Sequence, residues 1–167
     1  MSEAALFSVD AGELPVSGAA LAELLGAVVS RGARFRFRAR GFSMFPSILD
    51  GDVVTLSPLR GGPARFGEVV AFVHPDTRRL VVHRVIGRRG TCYAVKGDNA
   101  FAPDAVVPWA DALARVTRVE RAGTATSLGL GPERVVIALL SRRGPVFSFL
   151  RPLWRVARAV ARRWPHG

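Results

Sequence analysis

Ser43 lies in GFSMFPSILDGD, residues 41–52, between Phe42 and Met44. A serine in a loop ordinarily keeps company with Gly, Asn or Asp. This one is set among large apolar residues, three before Pro46, at the mouth of a strand-like run. A hydroxyl is a weak nucleophile unless a base takes its proton as it attacks. The sequence offers four such bases: His74, His83, His166 and Lys96. His166 belongs to the terminal tail, and His74 precedes Pro75 in a turn. In LVVHRVI the alternation puts Val81, His83 and Val85 on one face, where a strand would hold an imidazole rigidly and partly shielded from water. Imidazole, with a reference pKa of ~6.5, is well matched to proton transfer at neutral pH. Taken alone, the same histidine reads more simply as a core residue bonded to a backbone carbonyl. Lys96, the only lysine, is the rival base, since a lysine can serve beside a serine when burial favours its neutral form. A third group would orient the base, and KGDNAFAPD provides Asp98 and Asp104. Each reads equally as a turn or surface-loop carboxylate, or as the acid that fixes a histidine tautomer.

These residues need a scaffold, and the rest of the chain describes one. Its 167 residues, 49% of them hydrophobic, suit one domain with short appendages. Ser17 is a good helix N-cap. Leu21, Leu24, Leu25, Val28 and Val29 then follow at helical spacing to a stop at Gly32, which predicts an amphipathic N-terminal helix. Residues 1–13 read as a loose leader. From residue 34 the period changes to two. RFRFRAR, DVVTLS, EVVAFVH, RLVVHRVIG, TCYAVKG and ALARVTRVE are separated by turns such as the basic loop Arg60-Gly61-Gly62-Pro63, a pattern of short strands in a compact, mainly β domain. The expected division is a leader and helix over 1–33, a β domain over 34–122 and a basic helical tail over 123–167.

The net charge is +11, unevenly placed: residues 1–30 carry four acids and no cation, residues 134–167 eight arginines and no acid. Such asymmetry points to an anionic partner for the tail. Arg151, Arg155, Arg158 and Arg162 recur at helical spacing with Trp154 and Trp164 among them, the pattern of a helix that lies in a membrane interface. It fits equally a helix docked on the domain with its arginines in water. Nucleic acid is the weaker partner, because no helix-turn-helix pattern precedes the β domain and the one helix there is acidic. Cys92 is alone, expected to be a buried inert thiol, so neither an internal disulfide nor a cysteine metal site is available, and no cofactor is called for. No run reaches the ~18 apolar residues of a membrane-spanning helix. The N-terminus has no basic start of a secretory signal. The expected location is therefore the cytosol, with peripheral contact at the inner face of the membrane.

GFSMFPSILDGDVV, GEVVAFV, VVHRVIG and KGDNAFAPD, in that order, resemble the signal peptidase family and its wider clan of serine peptidases, which includes self-cleaving repressors. The likeness spans residues 36–119. It implies the clan's multi-stranded β fold and a serine endopeptidase acting on a precursor protein or peptide, with Ser43 as nucleophile. The bacterial branch has a lysine base just before Arg-Val. His83 stands there, as in the archaeal and endoplasmic-reticulum branch, which implies Asp104 as the orienting acid and Asp98 as the supporting aspartate of the Gly-Asp-Asn box. Met44 and the residues after it would pack beneath the serine and line the substrate groove. The chain departs from the family at Gly41, where a serine hydroxyl often helps to bind the oxyanion; loss of one such donor costs ~3 kcal/mol. Ala100 and Pro103 replace an asparagine and an aspartate that are common there, and the family's amino-terminal anchor is missing from this sequence. The alternative is a non-catalytic binding module of the same fold, tethered to membrane or nucleic acid by its arginine-rich tail.

Overall fold

The computed structural model describes residues 6–9, 18–60, 62–103 and 105–144. Period-two segments become strands: β2 (Arg34–Arg38), β3 (Val53–Pro58), β4 (Val69–Val73), β5 (Leu80–Arg89), β6 (Cys92–Lys96) and β8 (Ala112–Arg121). Three more strands join them: β1 (Leu6–Val9), β7 (Ala105–Pro108) and β9 (Thr124–Thr126). They form one curled sheet in the order β1-β2-β3-β8-β4-β5-β6-β7, with β9 beside β8. Every pairing is antiparallel except β1 with β2. The long β8 starts on β4 and ends on β3, and each of these pairings is broken by a register shift. Such shifts bend a ladder and raise its twist, which lets the sheet curl around its own side chains.

The helix α1 (Gly18–Ser30) covers one side of the sheet. Leu25 and Val28 are buried in a cluster with Phe35, Phe37, Val54, Leu56 and Val116, and Leu21 and Val29 pack at its edge. Complete burial of a side chain such as Leu25 stabilises the fold by ~1.5–3 kcal/mol. Leu24, expected on this face, is exposed, and Ala22 takes its place. Gly32, at a φ of +74°, ends the helix by donating to the Val29 carbonyl at 2.8 Å. Ser17 lies outside the described residues. A second cluster joins Val70, Phe72, Val85, Tyr93, Val95 and Val107 on β4 to β7. A second helix, α2 (Arg134–Arg142), packs Ile137 and Ala138 inward and contacts β5.

The described parts of the flanking segments thus join or contact the sheet. Residues 6–9 of the leader pair with β2, and α2 opens the segment read as tail. The amphipathic run from residue 149 onward lies outside the described residues. Cys92, expected to be buried, is half-exposed because it starts β6 at the hairpin end. Among the described residues, no helix is long and apolar enough to cross a membrane.

Candidate active site

The segment 39–52 leaves β2 and returns to β3 as a pinned loop. The Ala39 N–H donates to the Asp52 carbonyl and the Gly51 N–H to the Ala39 carbonyl, at 2.8 and 2.9 Å. The Asp52 carboxylate accepts the Leu49 N–H and is held by Arg121 at 2.9 Å. Within the loop, Met44, Phe45, Ile48 and Leu49 are buried, while Ser43 faces solvent. The apolar residues after Ser43 are therefore a floor that anchors the loop in the core and leaves the hydroxyl on top, while Phe42 before it is exposed.

The floor brings Ser43 to β5. His83 is buried, opposite Val70 of β4 and with its ring 6.2 Å from that of Phe72. Its Nε2 lies 3.1 Å from Ser43 Oγ, hydrogen-bond distance, across 40 residues of sequence. The serine and the histidine lie in different segments of the sequence, and the fold brings them together. Lys96 is buried too, with its ammonium donating to the Gly97 carbonyl at 3.3 Å. Asp104 lies outside the described residues.

Asp98 has a defined task. It is fully buried and takes Arg84, also fully buried, in a two-pronged pair: Arg84 Nε donates to one carboxylate oxygen and Nη2 to the other, each at 2.7 Å. Ser47 donates to the same carboxylate at 2.6 Å and accepts from Arg84 at 3.0 Å. Arg84 Nη1 donates to the Gly67 and Gly129 carbonyls at 2.7 and 2.8 Å. A guanidinium has five N–H donors, and all five are occupied. This cluster fixes the segment after β6, and that segment fixes the serine: the Asn99 N–H donates to the Ser43 carbonyl at 2.8 Å and the Asn99 side chain to the Phe42 carbonyl at 3.3 Å.

Arg84, Ser47, Gly97 and Asn99 were not singled out in the sequence. Arg84 carried a signal, as a charge inside an otherwise apolar strand. Gly97 is held close against both site residues. A Cβ there would lie 2.7 Å from the Ser43 carbonyl oxygen, 3.1 Å from Ser43 Cβ and 3.2 Å from His83 Nε2. Gly97→Ala must therefore push the serine loop away from the imidazole. A misplacement of ~1 Å can cost ~10²-fold in rate, so the variant is expected to lose about that much kcat while keeping its far-ultraviolet circular dichroism. Wild-type turnover from folded Gly97→Ala would contradict this packing.

Gly41 stands at a φ of +94°, a conformation that favours glycine, and its N–H donates to Asp50 at 2.8 Å. This gives the absence of a hydroxyl at 41 a backbone reason. Beside Ser43 runs a groove of about 340 Å³, lined by Phe37 to Gly41, Met44, Ile48, Val54, Leu80 to Val82 and Leu21 of α1. On β5, residues 80–83 pair with β4, while the ladder to β6 begins only at Arg84. Among the described residues, Leu80 to Val82 of β5 thus have a strand on the β4 side alone, and the other side faces the groove.

Behind the Arg84 cluster, Glu133 accepts the Gly129 and Gly131 N–H groups at 2.8 and 3.0 Å. Its carboxyl sits below the usual glutamate range, chiefly through its own backbone N–H, with these two donors and the charge of Arg84 adding to the effect against a desolvation penalty. A carboxyl lowered on folding stabilises the fold above its unfolded pKa of ~4.3 and loses that contribution as pH falls below it. Glu133→Gln is accordingly expected to lessen the fall in thermal midpoint between pH 6 and pH 3. An unchanged acid limb would show that Glu133 carries none of it.

No protein-family model matches the chain, and no curated protein matches it significantly.

Proposed function

We propose that this protein is a serine endopeptidase of the signal-peptidase clan that cleaves a precursor protein or peptide. The observation that carries the proposal is the 3.1 Å contact between Ser43 Oγ and His83 Nε2, a nucleophile and base in hydrogen-bond reach. Here Ser43 Oγ attacks the scissile carbonyl as His83 Nε2 takes its proton. The imidazolium then returns a proton to the leaving amine, water hydrolyses the acyl-enzyme with His83 as base, and Ser43 is restored. Asp104 is assigned the orientation of His83 by the family resemblance. The backbone N–H of Ser43, which has no acceptor among the described residues, is the donor proposed for the oxyanion. The substrate would lie extended in the groove, adding as a strand along Leu80 to Val82. Its partner is the precursor itself, with peripheral contact to anionic membrane through Arg151, Trp154, Arg155, Arg158, Arg162 and Trp164.

The test is cleavage of a diverse peptide library by wild type and Ser43→Ala, read by mass spectrometry with anionic vesicles present. Cuts that vanish in the variant are expected, and the residues flanking them define the groove's preferences. If folded wild type makes no Ser43-dependent cut, the binding-module reading takes over.

A further inference from the structure

The helix α2 is inverted relative to a buried amphipathic helix. Its inward face is built from Ile137, Ala138 and Ser141, while Val135, Val136, Leu139 and Leu140 are 42%, 56%, 49% and 37% exposed. Residues at i, i+1, i+4 and i+5 share one helix face, so four aliphatic side chains form one outward stripe, with Leu128 exposed on the preceding turn. Single exposed apolar residues need no explanation, but a contiguous patch on a small protein marks a contact surface.

The sign of the charge says what the contact is. Arg142 and Arg143, both exposed, stand at the C-terminal end of the stripe. The chain from Arg134 to its last residue holds eight arginines, no acid, and both Trp154 and Trp164. Residues 145–167 docking back over the stripe would bring like charges against that rim. A stable dimer calls for about 20–30 residues a side, far more than the four apolar residues of this stripe. An anionic lipid surface meets both features: aliphatic side chains enter the acyl boundary and arginines stay among the headgroups.

We propose that the outward face of α2 is a lipid-contact surface that lies flat on an anionic bilayer. The face rests in part on the lipid-binding reading of the tail and is independent of peptide cleavage. It gives that binding a fixed geometry. Ile137 and Ala138 pack α2 inward, α2 contacts β5, which carries His83, and Ser141 reaches Asp98 at 3.5 Å. The membrane would therefore hold the sheet itself, and the groove would sit at a set height above the lipid.

The experiment is co-sedimentation of the full chain with vesicles of phosphatidylcholine alone and of phosphatidylcholine with 30% phosphatidylglycerol. Wild type would be compared with Leu139→Gln/Leu140→Gln and with Trp154→Ala/Trp164→Ala. Urea midpoints would show that each variant is folded, and light scattering would report oligomeric state. The expected result is binding to anionic vesicles only, reduced at least tenfold by the leucine pair in a monomeric protein. If the leucine variant binds as wild type does while the tryptophan variant does not, the α2 face is overturned and the tail reading stands. Wild-type binding to neither vesicle, or equally to both, overturns the anionic surface. Loss of a dimer in the leucine variant without loss of vesicle binding assigns the stripe to a second copy and overturns it as well.

Discussion

Replacing His83 with alanine is expected to lower Ser43-dependent cleavage by at least about 10³-fold, while Lys96→Met leaves it within about threefold. Removing the base of a serine–histidine pair elsewhere costs as much as removing the serine, because neither works alone. On the proposed reading that role falls to His83. Its Nε2 is the group placed at 3.1 Å from the hydroxyl, and a strand bonded on the β4 side holds it there. Lys96 is turned to the Gly97 carbonyl. Steady-state kcat/KM on a peptide cut by wild type, with circular dichroism to verify folding, separates the two. Loss of activity in Lys96→Met with retention in His83→Ala would make this a serine–lysine enzyme.

The second large effect falls on stability. Arg84→Met removes five donors at once and leaves the Asp98 carboxylate fully buried without its counter-charge. Breaking a buried pair by removing one partner costs about 3–5 kcal/mol, chiefly because the remaining charge is stranded. Against a typical domain stability of ~5–15 kcal/mol, that loss would show as a large drop in urea midpoint at unchanged slope. The double variant Arg84→Met/Asp98→Leu removes the stranded charge, and it is expected to recover part of the loss. A loss under about 1 kcal/mol in the single variant would mean that water reaches the cluster and that the pair does not organise the site. The same variant should impair cleavage, since Asp98 adjoins Gly97 and Asn99, which position Ser43.

Much of this architecture could be read from residue patterns, for reasons that differ by element. Strands β2 to β6 and β8 showed themselves as alternating or continuous apolar runs of five or more residues bounded by turn residues. The strands β1, β7 and β9 have only three or four residues each, and their pairing is decided by neighbours far along the chain. The run VVIALL, residues 135–140, is too short and apolar for its pattern to separate helix from strand; it becomes α2 with its apolar side outward. Leu24 fits the periodicity of α1 and is nonetheless exposed, since the buried arc of the helix is centred on Ala22, Leu25 and Val28 and leaves Leu24 at its rim.

The site divides the same way. Ser43 and His83 stood out because each is the wrong type for its surroundings, a hydroxyl among apolar residues and an imidazole in a valine-rich strand. Their partnership needed either the family resemblance or the fold, since 40 residues separate them. Arg84 shows as a charge in the middle of a valine-rich strand, but nothing local reveals the buried Asp98 that receives it. Gly97 looked like an ordinary turn glycine because the atoms crowding it belong to Ser43 and His83.

The central claim is that the Ser43 hydroxyl, activated by His83, forms a bond to a carbonyl carbon. It is tested most directly by rapid acid quench during turnover of a cleaved peptide ester, followed by intact-mass measurement and peptide mapping. The account predicts one acyl adduct on Ser43 in wild type. It predicts none in Ser43→Ala and a much slower one in His83→Ala. An adduct that maps to Lys96 or Cys92, or turnover that persists in Ser43→Ala, would contradict it.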